Sequence, residues 1–286
     1  MTDKPGPTLR AQWLGQQLHE LRAATGLKLK DVGEVLQRDG TTIGRFESGE
    51  YPIRQSDLVA LLDFYGVSTK RKRDALLRLH DDAWRTDWWD DQFDDAVFDP
   101  RFVDYVWLEQ RSTNIFAFDT TAVTGLVQTE RYARAVIDAA EPTASADQIE
   151  RWVQLRMARQ EILSRSEPPR LHLVLDEAIL RREVGDEQVL GEQLVHLRRL
   201  AARPNVELRV LPFRVGAHIC PYGPFRIFQM ADPYPEVGYV ETLAGSLYVE
   251  PPKTAKFVAA YDGLRKAALT QQRSIELITA IVQNLE

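Results

Sequence analysis

The residues best suited to a chemical task in this 286-residue sequence fall in one decapeptide, GTTIGRFESG at positions 40–49. Ile43 and Phe46 stand three apart and turn inward on a helix, which leaves Thr41, Thr42 and Arg45 facing outward. Two hydroxyls and a guanidinium on the outer side of one short helix are hydrogen-bonding groups, and a major groove of roughly 12 Å admits one such helix, whose first turn then meets base edges. The plainer alternative is a packing helix with a solvated arginine. A second set lies further along. Arg156, Arg159 and Gln160 sit at helical spacing and can converge on Asp176 and Glu177, which follow the strand-like run LHLVL. That set reads first as a buried ion-pair network and second as an effector clamp. His218 and Cys220 lie in the loop VGAHICPYGP, whose Gly and Pro content makes a rigid turn or lines a pocket. The five histidines, His19, His80, His172, His196 and His218, show no metal-ligand spacing. There is no G-x-S-x-G elbow, phosphate loop or dinucleotide fingerprint, so the expectation is no catalytic residue, no metal, no cofactor and no enzyme.

Positioning the decapeptide requires helices on both sides of it. Leu14, Leu18 and Leu21 form one stripe of a helix over Leu9–Thr25, which Gly26 ends. A second helix over Lys30–Gln37 carries Val32, Val35 and Leu36 and is too short to stand without neighbours. Arg38, Asp39 and Gly40 make the turn, and Asp39 is placed to accept from the free N–H groups of a third helix over Thr41–Glu47. Helices over Gln55–Tyr65 and Lys72–Trp84 complete an all-α module of four to five helices. The stretch from Asp81 to Asp99 follows, with eight Asp in nineteen residues opposed by Arg85 alone. Its Trp84, Trp88, Trp89, Phe93 and Phe98 are too apolar for a free tether, so it is expected to dock on a domain.

Beyond residue 100 helical and strand-like patterns mix. Helices are expected near 103–111, 128–139, 145–164, 186–202, 253–269 and 271–284. Strands are expected at 115–118, 171–175, 206–211, 225–230 and 237–243, the last two joined as an antiparallel hairpin by ADPYPE. The expected fold is therefore a helical module at 1–80, an acidic connector at 81–100 and an α+β domain at 101–286 with a small, largely antiparallel sheet. The last helix places Ile275, Ile278, Ile281 and Val282 on one face, for core packing first and self-association second.

Charge narrows the partners. The chain carries a net −6, split as +3 over residues 1–80 and −9 over residues 81–286. An acidic whole repels nucleic acid, but screening over roughly 10 Å makes the local field decisive, so any DNA contact belongs to the first module. One cysteine excludes an internal disulfide framework. No apolar run of membrane length and no secretory leader is visible, so a cytoplasmic protein without membrane contact is expected.

The order LHELRAATGL, VGEVLQ, TTIGRFESG and DLVALLDFYGV resembles the phage-repressor-like (XRE) helix-turn-helix regulators. The resemblance implies operator DNA as partner, with Thr41, Thr42 and Arg45 facing bases and Lys28, Ser48 and Arg54 touching phosphates. It also implies a structural pair between Arg22 and Glu47. Lys28 stands where that family usually has a serine or threonine cap, Leu29 where it often has glutamine, and Gly40 where it often has a polar side chain. TGLVQTERYARAVI, QLRMARQEIL, LHLVLDEAILRREVG, GAHICPYGPF and GYVETL resemble the domain that follows such modules in antitoxin-like regulators of high-GC Gram-positive bacteria. That likeness implies a domain that receives a small protein partner encoded nearby, or a small-molecule ligand. One module reads few base pairs, so a homodimer on two half-sites is expected.

Overall fold

The computed structural model describes residues 7–84 and 100–285. The chain divides into two compact units, Met1–Tyr105 and Val106–Glu286. The expected docking of the aromatic stretch falls, for residues 85–99, outside the described residues.

In the first unit five helices follow one another: α1 (Leu9–Thr25), α2 (Leu29–Leu36), α3 (Gly40–Glu47), α4 (Gln55–Phe64) and α5 (Lys70–Trp84). Their ends have local causes. Thr8 caps α1 by accepting from the Ala11 N–H, and Gly26 closes it in the left-handed region at φ 72°. The apolar stripes meet in one core of Leu14, Leu18, Val32, Ile43, Phe46, Leu58, Leu61, Leu62, Leu76 and Leu79, all buried. Each such side chain contributes about 1.5–3 kcal/mol by leaving water, which is what holds the eight-residue helices α2 and α3 in place.

The second unit is built on a six-stranded sheet. After α6 (Pro100–Arg111) come β1 (Ser112–Asp119), α7 (Glu130–Ala140), α8 (Ala146–Arg159), β2 (Arg170–Asp176), α9 (Glu187–Ala201), β3 (Val206–Leu211), β4 (Phe225–Met230), β5 (Val237–Thr242), β6 (Gly245–Val249), α10 (Thr254–Ala267) and α11 (Gln271–Leu285). The strand order is β3-β2-β1-β4-β5-β6. β1, β2 and β3 run parallel, while β4, β5 and β6 are antiparallel to their neighbours. This corrects the expectation of a small, largely antiparallel sheet. Strands separated by helices are joined by crossovers, and a crossover returns the chain in the same direction. The β4–β5 hairpin is antiparallel as expected, with Arg226 opposite Tyr239. β6 was not anticipated, because its five residues carry little apolar pattern.

Two features fix the β3 end of this sheet. Ser274 of α11 accepts the Val210 N–H at 2.9 Å, and Ile278, Ile281 and Val282 are buried, so the last helix serves the core. On the surface, Glu207 of β3 accepts from His172 of β2 at 3.0 Å, from Arg209 at 2.7 Å and from Arg265 of α10 at 3.0 Å. Burial works to raise the Glu207 carboxyl, but the hydrogen bonds from His172, Arg209 and Arg265 outweigh it and bring it down to about 2. A carboxylate held below its ordinary 4.5 lends stability that is present above that value and is lost as pH falls toward 2. Urea midpoints of the wild type are therefore expected to drop between pH 4.5 and 2, whereas Glu207→Gln starts lower at pH 7 and drops less across the same window. Equal acid losses in both proteins would count against the cluster.

Candidate nucleic-acid interface

The tight turn between α2 and α3 is set by backbone before any functional side chain enters. Gln37 ends α2 in the left-handed region at φ 53°, and the Arg38 N–H returns to the Gly33 carbonyl at 2.8 Å. A Cβ on Gly33 would lie 2.6 Å from the Arg38 carbonyl oxygen, so only glycine permits that closure. Asp39 then opens α3, its Oδ1 accepting the Thr42 N–H at 2.7 Å. That N–H holds the Asp39 carboxyl below its usual range. At the start of α2 the Lys28 side chain makes no cap. Asp31 instead reaches back to accept the Lys28 N–H at 2.8 Å, which replaces the missing serine or threonine.

The far end of α3 is anchored by charge. Arg22 meets Glu47 through two bonds, Nε to Oε1 at 2.6 Å and Nη2 to Oε2 at 2.8 Å, and its Nη1 donates to the Leu27 carbonyl at 2.9 Å. His19 Nδ1 lies 2.9 Å from Glu47 Oε2. Burial acts to raise the Glu47 carboxyl, yet Arg22 and His19 together hold it below its ordinary value. Gly15 of α1 lets the two helices come this close. A Cβ there would sit 2.3 Å from the Glu47 carbonyl oxygen. Sequence reasoning missed Gly15 and Gly33, whose one visible signal is a glycine inside a helical stripe. Beneath the pair lies the Tyr65 hydroxyl, buried without a hydrogen-bond partner, and burial pushes it up to about 12.

With α3 fixed at both ends, Ile43 and Phe46 are buried and Thr41 and Arg45 are exposed, while Thr42 is half-buried with its hydroxyl 3.3 Å from Asp39 Oδ2. Lys28, Ser48 and Arg54 are also exposed. The Ser48 hydroxyl donates to the Arg45 carbonyl at 3.2 Å. Residues 13–76 match a family described as a Helix-turn-helix domain, and residues 102–280 match the family described as Domain of unknown function (DUF5753). The second match spans more than half of the sequence. The chain belongs to the DUF5753 family. Its first unit is a helix-turn-helix domain, and the protein is a DNA-binding regulator. No curated protein and no solved structure matches it.

Within the DUF5753 region the candidate effector residues do not form the expected cluster. Arg159 is clasped by Glu109 of α6, Nε to Oε2 and Nη2 to Oε1 both at 2.8 Å, with both side chains buried. Arg156 donates to Gln128 at 2.9 Å. Asp176 accepts the Ala178 N–H at 2.8 Å, and Glu177 takes Arg181 and the Phe213 N–H, each at 2.9 Å. The convergence of the two arginines on Asp176 and Glu177 is therefore overturned. α8 ends against α6, and its arginines face partners there and in the turn before α7. His218 sits edge-on to Phe118 at 5.6 Å and accepts the Cys220 N–H at 3.3 Å. Cys220 is buried, which pushes its thiol up, as suits a small core residue. A second ionic pair, Asp119 with Arg226, was missed because its members lie on different strands, β1 and β4. Among the described residues no group of three or more His, Cys, Asp or Glu can hold a metal, and no helix is long and apolar enough to cross a membrane.

The geometry makes Glu47 and Gly15 the positions that control α3. Hydrogen bonds to charged groups contribute about 1.5–3 kcal/mol, so Glu47→Ala is expected to speed amide exchange in α3 by roughly 30-fold. Gly15→Ala is expected to act in the same segment and direction. Unchanged α3 exchange in both variants would contradict this anchoring. In the second unit Glu109→Gln keeps one acceptor for Arg159 but removes the compensating charge and sets an NH2 donor against the other N–H, and is expected to cost about 3 kcal/mol in urea unfolding; a cost under about 0.5 kcal/mol, the size of an ordinary surface change, would count against the pair.

Proposed function

We propose that this protein is a sequence-specific transcriptional regulator of the phage-repressor-like kind, whose α3 enters the major groove of operator DNA. The observation that supports this most is the exposed Thr41 and Arg45, beside Thr42, on a helix whose opposite face is buried and whose two ends are fixed. A major groove about 12 Å wide admits one helix, and the residues of its first turns then meet base edges. Thr41, Thr42 and Arg45 read bases, while Lys28, Ser48 and Arg54 hold phosphates and set the register. Two copies bind as a homodimer on half-sites one helical turn apart, because one small module contacts too few bases for useful selectivity.

The second unit acts as a receiver without catalysis. Its antitoxin-like motifs favour a small protein partner as the first reading. A small-molecule effector is the second, favoured by an apolar cleft of about 420 Å³ lined by Ile219, Cys220, Tyr222, Phe225, Val240 and Phe257. That volume lies within the range of small-molecule sites. Either effector works by changing dimer geometry or access to the operator.

Selection from random duplexes followed by a salt titration tests the reading. The expected result is a palindrome with guanine opposite Arg45 and a log–log salt slope of about −0.9 for each phosphate contact. Arg45→Ala is expected to lose about 1–3 kcal/mol on the selected site and to relax the preference at that guanine. Lys28→Ala or Arg54→Ala should weaken all duplexes alike and reduce the slope by about one. Failure to enrich any sequence, with no salt-dependent binding, would overturn the proposal.

A further inference from the structure

The segment after α3 does more than connect it to α4. Gly49 turns the chain in the left-handed region at φ 74°, and a Cβ there would lie 2.8 Å from the Ala11 carbonyl, so the reversal depends on glycine. The chain then folds back onto the helix it has just left. The Tyr51 N–H donates to the Arg45 carbonyl at 3.2 Å. Its ring lies 6.3 Å from that of buried Phe46, and the Arg45 guanidinium carbon stands 4.9 Å over it. Tyr51 keeps 48% of its surface exposed, so the contact is made at the face of the module. Glu50 Oε2 lies 3.9 Å from Arg45 Nε, close enough for attraction and too far for a good hydrogen bond.

The ring contact centres on the guanidinium carbon and the ion pair on Nε. The N–H groups that bind guanine or a carboxylate lie in the guanidinium plane, and a ring held over the central carbon leaves them free. The ring contact is therefore compatible with base reading, whereas the Glu50 contact competes with it. An exposed ion pair at this distance is weak and is readily exchanged. We propose that Tyr51 is the positioning residue for Arg45, fixing the plane of its guanidinium, and that Glu50 occupies the same group until a base edge displaces it. The inference rests on the reading of α3 as the base-contacting helix. It adds that selectivity is set partly outside α3, by a ring that aims and a carboxylate that discourages contact with phosphate of any sequence.

The test uses the full chain, a duplex selected by the wild type, and an unrelated duplex of equal length. Tyr51→Leu is expected to weaken the selected duplex about 5-fold and to reduce discrimination at the guanine, while Tyr51→Phe, which keeps the ring, behaves as wild type. In an Arg45→Ala background Tyr51→Leu is expected to add nothing. Glu50→Gln is expected to tighten the unrelated duplex more than the selected one, and this narrowing should vanish with Arg45→Ala. Amide exchange in α3 reports whether each variant keeps its fold; if Tyr51→Leu does not, the Glu50→Gln cycle with Arg45→Ala decides. The inference is overturned if Tyr51→Phe matches Tyr51→Leu, if Tyr51→Leu weakens binding equally without Arg45, or if Glu50→Gln shifts both duplexes alike. A wild type that selects no duplex at all would overturn the underlying reading and this inference with it.

Discussion

An eight-residue helix cannot hold its shape in water alone, and α3 is such a helix. Its use as a reading head depends on the Arg22–Glu47 clasp at one end and the Asp39 cap at the other. Between them, Ile43 and Phe46 supply the apolar burial that fixes its rotation about its own axis. Gly15 and Gly33 are the spaces that let these contacts close, since a methyl group at either would strike backbone rather than a yielding side chain. Position, rotation and entry angle of α3 thus come from residues that touch no base, and the exposed side chains inherit their direction from them.

Charge follows the same division of labour. The acidic total would keep the protein from nucleic acid if it were spread evenly, but the negative excess lies beyond residue 80. In the second unit two ionic pairs are buried, Arg159 with Glu109 and Arg226 with Asp119, while Glu207 gathers Arg209, Arg265 and His172 at the surface of the β3 end. Buried pairs of this kind fix which elements lie side by side more than they add net stability. They commit Arg159 to Glu109 rather than to Asp176 or Glu177.

Much of the first unit was legible from local pattern. Its helix stripes, the stop at Gly26 and the Asp39 turn are consequences of neighbours in sequence, and the structure repeats them within a few residues. The fourth and fifth helices end or begin a residue or two away from expectation, as fraying ends commonly do. What escaped depends on distance along the chain. The parallel pairing of β1, β2 and β3 is decided by crossovers, and the partners of Arg159 and Arg226 lie 50 and 107 residues away. Tyr51 escaped for a different reason: only the left-handed turn at Gly49 brings it back over Arg45.

The central claim is that α3 lies in the major groove with Arg45 at a guanine. Methylation interference on the selected duplex tests it most directly, because a methyl group on guanine N7 blocks the major-groove edge without touching the minor groove. The account predicts that methylation of one particular guanine in each half-site abolishes binding by the wild type and leaves the residual binding of Arg45→Ala unaffected. Binding that tolerates every N7 methyl group but is displaced by a minor-groove ligand would contradict it.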